Sequence, residues 1–302
     1  MKILITGGTG FIGTLLCARL LQEQYQLVVL TRRPAVVSRP IEAIQNLEQV
    51  DSATCFDVVI NLAGEAIAAR RWSESQKREI VESRLDTTRE LVAYFKRTMH
   101  KPSLLISGSA IGYYGLGDAT DEAEAKAPVD EGSSGDGSFS SQLCQQWEAV
   151  ALEASELGIR TCLLRTGIVL GRGGALDKML PPFKLGLGGR VGSGNQWMPW
   201  IHSADLVGII LHCIGNEDVH GAINGTAPNP VSNREFSRTL GRALGRPALL
   251  PLPAFIVRLL LGQMGEELLL AGRRVVPRKA LDTGYRFQYS SLEPALQEVL
   301  AK

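Results

Sequence analysis

The 302-residue sequence carries almost no excess charge: 32 Lys and Arg against 31 Asp and Glu leave a formal net charge of +1. Such a balance supplies no general electrostatic drive toward nucleic acid or an anionic membrane, so neither is an expected partner. Cysteine pairing signals are missing too. Cys17, Cys55, Cys144, Cys162 and Cys213 show no C-x-x-C spacing and mostly sit among apolar neighbours, as reduced core thiols do. His100, His202, His212 and His220 have no i, i+4 partner and no cysteine cluster, which argues against a metal centre. No apolar run suits a bilayer span, since the most apolar late segment, Phe255 to Leu261, is short and interrupted by Arg258. The first apolar stretch ends at Gly7 and reads as an opening strand rather than a signal peptide, so a cytoplasmic location is expected. There is no internal repeat.

What is present begins at once. Residues 4 to 13 read Leu-Ile-Thr-Gly-Gly-Thr-Gly-Phe-Ile-Gly, an apolar run breaking into spaced glycines and then a helical pattern. Glycines alone also serve loops that merely need positive φ. Here Lys2 to Ile5 reads as strand, and Leu15, Leu16, Leu20 and Leu21 read as a helical apolar stripe, the order a dinucleotide's pyrophosphate seat requires. In that reading Gly7 permits the tight turn, Gly10 lets the backbone approach the phosphates, and Gly13 lets the helix pack closely. Thr9, Phe11 and Ile12 complete the cradle, with free N–H groups aimed at the anion.

Further buried strands are predicted at Gln26 to Leu30, Val58 to Leu62, Leu104 to Ser107 and Thr161 to Arg165, with helices between them. This alternation implies an α/β fold, a Rossmann-type doubly wound parallel sheet covered on both faces. Ser73 to Arg97 reads as one long helix with Ile80, Leu91, Val92 and Phe95 as core candidates. After Arg165 the composition turns to Gly171-Arg172-Gly173-Gly174, Pro181-Pro182 and the glycine-rich run Gly186 to Gly194, which suggests loops and a smaller, discontinuous C-terminal lobe. Ser203 to Cys213 returns to helix with Ser203 as N-cap, and Ala222-Ile223-Asn224 reads as another sheet strand. The expected division is 1–168, with roughly 200–226 returning to it, against 169–199 and 227–302. Asp118, Asp121, Glu122, Glu124, Asp130, Glu131 and Asp136 make Gly115 to Gly137 an acidic segment, read as a solvated loop with covering a substrate as the alternative.

The second strand ends in Thr31-Arg32-Arg33 where an NAD site usually carries Asp or Glu. A carboxylate repels a 2′-phosphate, whereas a guanidinium grips it bidentately and stacks on adenine. NADP(H) is therefore favoured, with Arg32 the stronger candidate and a pair of solvated loop charges the competing reading.

With Thr-Gly-Gly-Thr-Gly-Phe-Ile-Gly at 6 to 13, Asn61-Leu62-Ala63-Gly64 and Ser107-Gly108-Ser109, the chain resembles extended short-chain dehydrogenase/reductases. Arg71-Trp72, Ser83-Arg84, Trp147-Glu148, Met179-Leu180-Pro181-Pro182-Phe183, Trp200-Ile201-His202 and Asn224-Gly225-Thr226-Ala227-Pro228 are similar to an atypical branch, the epimerase family of the SDR39U1 or YfcH type, with a C-terminal segment of the DUF1731 type. That resemblance implies that Leu62 and Ala63 line the adenosine side, that Glu79 and Arg84 reach the cofactor from the long helix, and that Val169 sits by the nicotinamide. It also implies a Ser-Tyr-Lys catalytic set, of which Ser109 fits the serine.

The Tyr-x-x-x-Lys signature itself is absent. The matching helix start reads Phe139-Ser140-Ser141-Gln142-Leu143-Cys144, and no tyrosine or lysine occurs between Lys126 and Lys178. Tyr113 and Tyr114 are candidate replacement acids, given a pKa lowered by Arg84 or by the nicotinamide charge, against ordinary packing. Cys144 is a weaker candidate, as a buried thiol is inert. His202 and Asp205 suggest a proton shuttle, but read better as strand end and helix start. Two functions follow: an NADP(H)-dependent oxidoreductase or epimerase acting on a carbonyl or sugar-like small molecule, or a catalytically weak NADP(H)-loaded sensor or partner-binding module. The lobe is read as carrying no charge constellation specific to one ligand, and either a monomer or a homodimer suits the pattern.

Overall fold

The computed structural model describes residues 1–117 and 127–301. Its strands are β1 (Lys2–Thr6), β2 (Gln26–Leu30), β3 (Glu42–Ile44), β4 (Val58–Asn61), β5 (Leu104–Ala110), β6 (Pro128–Val129), β7 (Arg160–Thr166), β8 (Ile168–Leu170), β9 (Trp197–Met198), β10 (Trp200–His202), β11 (Gly221–Gly225), β12 (Val231–Ser232) and β13 (Arg274–Val275). Seven of these form one parallel sheet in the order β11-β7-β5-β4-β1-β2-β3. The winding direction reverses between β1 and β4, and ligands of open α/β sheets bind in the crevice beyond such a reversal. The principal helices are α1 (Phe11–Gln22), α2 (Glu74–Arg97), α3 (Phe139–Glu156), α4 (Ala175–Lys184), α5 (Ser203–Gly215), α6 (Asn233–Ala243) and α7 (Ala254–Leu261).

Alternation along the strands divides the core between two faces. Ile3, Ile5, Val29 and Ile60 pack with Leu16 and Leu20 of α1 and with Ile209 and Ile210 of α5. Leu4, Val28, Val59 and Leu105 face the other way, onto Leu91 and Phe95 of α2 and Ala151 and Ala154 of α3. Fully burying one such leucine or isoleucine contributes about 1.5–3 kcal/mol. The expected stripe on α1 is corrected at one position. Leu15 is exposed, and Gly13, Leu16, Cys17 and Leu20 make the buried face, as the 3.6-residue period requires.

Helix ends follow local chemistry. The Ser73 hydroxyl caps α2 by accepting from Gln76 N, Glu74 lies in its first turn, and Lys96 and Arg97 lie in its last. For α5 the N-cap is His202, not Ser203: the ring Nδ1 accepts from Ala204 N at 3.1 Å. β11 pairs with β7, returning residues 221–225 to the central sheet. Beyond it, Leu176, Phe183, Trp200, Phe236, Leu240 and Leu296 form a separate cluster. The apolar segment near Phe255 is α7, with Val257 buried and Phe255, Leu259 and Leu260 exposed. Among the described residues no helix is long and apolar enough to cross a membrane.

Candidate functional site

The crevice is built by the turn from β1 to α1. Gly7 has φ +69°, and a Cβ there would lie 2.6 Å from the Leu62 carbonyl group and 2.9 Å from Ala63 N, so only glycine lets β1 and β4 end side by side. A Cβ on Gly13 would strike the Gly7 oxygen at 2.1 Å, so the helix packs onto the turn itself rather than onto the strand. Gly10 differs from both. It is exposed, and the only atom of the described residues that its Cβ would meet within 4 Å is the Gly7 oxygen at 3.3 Å, so a side chain there would project into open space. Gly10 is also the N-cap of α1, with no side-chain cap and no acidic residue in the first turn. The positive end of the helix is thus left for an external anion. Thr9 is exposed beside it, and Phe11 and Ile12 are half-buried. The Phe11 ring fits against Gly171 and Gly174, where added Cβ atoms would each come within 2.7 Å of it.

At the end of β2, Thr31 Oγ1 accepts from Arg33 N, and Arg32 and Arg33 are exposed. Neither forms an ion pair among the described residues. Leu62 and Ala63 are half-buried opposite, fixed by Leu62 N to Thr6 O and by Ala63 N to Thr6 Oγ1. Thr6 in turn donates to Asn61 Oδ1 at 2.6 Å. Thr88 Oγ1 donates to Arg84 O and accepts from Asn61 Nδ2 and Trp147 Nε1, which uses its full hydrogen-bonding capacity. This buried chain ties β1, β4, α2 and α3 below the crevice.

Arg84 lies on that platform. Its Nη1 donates to Ile80 O at 2.9 Å, its guanidinium stands over the Trp147 ring at 5.3 Å, and it comes within 3.0 Å of the position a Cβ on Gly64 would take. Burial lowers its pKa from the ordinary arginine value against the opposing charges of Cys144 and Glu65, and among the described residues no carboxylate comes within ion-pair distance of it. Glu79, by contrast, is exposed and paired with Arg70 at 3.2 Å. Val169, in the middle of β8, is half-buried beside Ile201 of β10.

The proposed proton-transfer residues require correction. Ser109 is 5% exposed, and its hydroxyl donates to Glu148 Oε1 at 2.6 Å. Glu148 forms a two-point pair with Arg165, Nε to Oε1 and Nη2 to Oε2, both at 2.8 Å. Arg165 Nη1 donates to the Tyr114 hydroxyl at 3.0 Å, which donates to Asn224 Oδ1 at 2.7 Å. An ionised carboxylate only accepts, so the Ser109 proton is committed to Glu148 and is not offered to a carbonyl oxygen. Burial pushes Tyr114 up to about 12, the reverse of the lowering that an acid at neutral pH needs. The Tyr113 ring lies 3.4 Å from the Arg165 guanidinium carbon, a stacking role. Burial likewise pushes the Cys144 thiol up to about 11, against Ser109 and Ala110, so it stays protonated.

His202 and Asp205 do not pair with each other. His202 Nε2 bonds Glu298 at 2.9 Å, while the fully buried Asp205 accepts from Tyr285 Oη, Gln288 N and Tyr289 N. Asp118, Asp121, Glu122 and Glu124 lie outside the described residues. The remaining acids of that segment are anchors rather than solvated charges: Asp130 pairs with Arg278, Glu131 accepts from Asn224 N and Lys279 N, and Asp136 accepts from Leu116 N and Ser138. Sequence reasoning missed Glu148 and Arg165 as network members. A buried acid in α3 and a base inside an apolar strand were the available signal.

A parallel sheet with a glycine turn at its reversal defines an α/β protein of the Rossmann class. The chain belongs to the NAD dependent epimerase/dehydratase family, whose model matches residues 3–224, and a domain of unknown function, DUF1731, matches residues 252–299. It is 39% identical over 305 residues to the human epimerase family protein SDR39U1, covering 100% of both chains. The epimerase family protein YfhF of Bacillus subtilis is 36% identical over 306 residues, with 100% of this chain and 98% of that protein covered. The crystal structure of human SDR39U1 (isoform2) with NADPH matches with a TM-score of 0.90 at 38% identity, covering 100% of this chain and 99% of that one. The Thermotoga maritima UDP-glucose 4-epimerase, at 19% identity and a TM-score of 0.78, shares the fold. The resemblance read from the motifs is therefore correct.

Proposed function

We propose that this protein binds NADP(H) across the β1/β4 crevice and exchanges hydride with a carbonyl or sugar-like small molecule. One observation carries the reading: an uncapped, acid-free α1 N-terminus opens over Gly10, with Arg32 and Arg33, which form no ion pair among the described residues, at the end of the neighbouring strand. Gly7, Thr9, Gly10, Phe11, Ile12 and Gly13 would hold the pyrophosphate, and Thr31 and Arg32 the 2′-phosphate. Leu62 and Ala63 would flank the adenosine, with Arg84, Glu79 and Val169 further along the cofactor. The match to human SDR39U1 with NADPH supports the choice of nucleotide. Segments 1–168 and roughly 200–226 would form the cofactor unit, and 169–199 with 227–302 the substrate lobe. Cysteines that are free, four of the five buried, support a reducing, cytoplasmic compartment.

The bound nicotinamide supplies the hydride chemistry. Ser109, already donating to Glu148, has lone pairs left to accept from a substrate hydroxyl, and the Arg84 charge acts on Cys144, next to the position of the missing lysine. A second reading, a catalytically weak sensor, is favoured by the locked Ser109–Glu148–Arg165–Tyr114 network. Incubating the protein with NADPH and ketones, quinones or nucleotide sugars separates the two. Oxidation of NADPH or epimer formation that falls for Ser109→Ala but survives Phe139→Ala supports the enzyme. Tight binding without turnover across the panel supports the sensor.

A further inference from the structure

The C-terminal lobe gathers a set of arginines on α6. Arg234, Arg238 and Arg242 recur at i, i+4 and i+8, and Arg246 follows the helix, so one face carries guanidinium groups over about 12 Å at ~1.5 Å per residue. Together with Pro247, Ala248 and Leu249 they line a cavity of about 650 Å³. Arg190, Arg234 and Arg238 line an adjoining cavity of about 210 Å³. Like charges four residues apart destabilise a helix, and among the described residues none of these arginines has an ion-pair partner to offset that. Glu235 is the one acid on the lining, at the first turn, where its backbone N–H serves the Ser232 cap. Arg234 Nη2 donates to Ser193 O and Asn195 Oδ1, and Arg242 Nη2 to Thr239 Oγ1, which holds both side chains in place.

We infer that this cavity is a second binding site, for a soluble small molecule bearing two or more phosphates. Guanidinium groups match phosphate oxygens two at a time, a set of four or five exceeds what one carboxylate needs, and the apolar wall accommodates a ring. The volume of about 650 Å³ lies in the range of small-molecule sites and favours a small ligand over an extended polyanion.

Calorimetry with inorganic tripolyphosphate, in the absence and in the presence of excess NADPH, tests the site separately from the crevice. Wild-type protein is expected to bind tripolyphosphate in both conditions, far more tightly than orthophosphate. Arg238→Gln/Arg242→Gln should weaken that binding at least tenfold while leaving thermal unfolding and NADPH affinity unchanged. No heat with the wild type, equal affinity in the double variant, or competition by NADPH would overturn the assignment. So would arginine-dependent capture on phosphatidylserine vesicles without tripolyphosphate binding, which would move the site to a lipid headgroup.

Discussion

Replacing Arg165 by Met should be among the most damaging single changes in this protein. The Arg165 and Glu148 side chains are 5% and 6% exposed and joined by two 2.8 Å hydrogen bonds. Without the guanidinium, Glu148 keeps only Ser109 as a partner among the described residues, and the Tyr114 hydroxyl loses its donor. Stranding one member of a buried pair costs about 3–5 kcal/mol, against a total stability of about 5–15 kcal/mol for a typical fold. Glu148→Gln/Arg165→Met removes the stranded charge as well, so it should recover at least half of the loss. Guanidinium unfolding midpoints at constant slope measure both values. A loss below about 1 kcal/mol for Arg165→Met, or a double variant less stable than that single one, would refute the claim that the pair is a mutually compensating buried unit.

Gly10→Val should abolish binding of either nucleotide yet unfold at the wild-type temperature, because its side chain enters open space; retained affinity would put the phosphates elsewhere. Gly7→Ala should do the opposite to stability, losing at least about 1–2 kcal/mol to its left-handed φ and the backbone atoms 2.6 Å away, as read by urea unfolding. Alkaline titration should destabilise the wild type between pH 10 and 12. Tyr114 holds its proton to about 12 when folded but only to 10.0 when unfolded, so the stability present below pH 10 declines by about 2–3 kcal/mol at ~1.36 per unit. Tyr114→Phe should lessen that slope, leaving the part contributed by Tyr285 and the buried Cys17 and Cys144 thiols, while costing about 1–3 kcal/mol at neutral pH through the unsatisfied Asn224 and Arg165 groups.

Why some of this was legible and some not follows from the range of each interaction. Strands β1, β2, β4, β5 and β7 announced themselves because a strand buried on both faces is a continuous apolar run. β3 did not, being three residues that include Glu42, and β6, β9, β12 and β13 have two residues each. The glycine turn was readable because its φ and close approaches constrain neighbours in sequence. The Ser109–Glu148–Arg165 network was not, since it joins β5, α3 and β7 and exists only after the sheet has assembled. In the sequence Ser109 therefore reads as free to donate, and the fold commits its proton to Glu148. The arginines of α6 were visible at helical spacing, but their shared cavity depends on the Pro247–Leu249 turn folding back beside them.

The central claim is a phosphate cradle that also accommodates a 2′-phosphate on the adenosine ribose, and its most direct test is calorimetry of NADPH and NADH against wild-type protein and Arg32→Asp. The wild type should bind NADPH more tightly than NADH, and the substitution should weaken NADPH far more than NADH. Equal losses for both nucleotides, or no heat from either with well-folded wild-type protein, would contradict it.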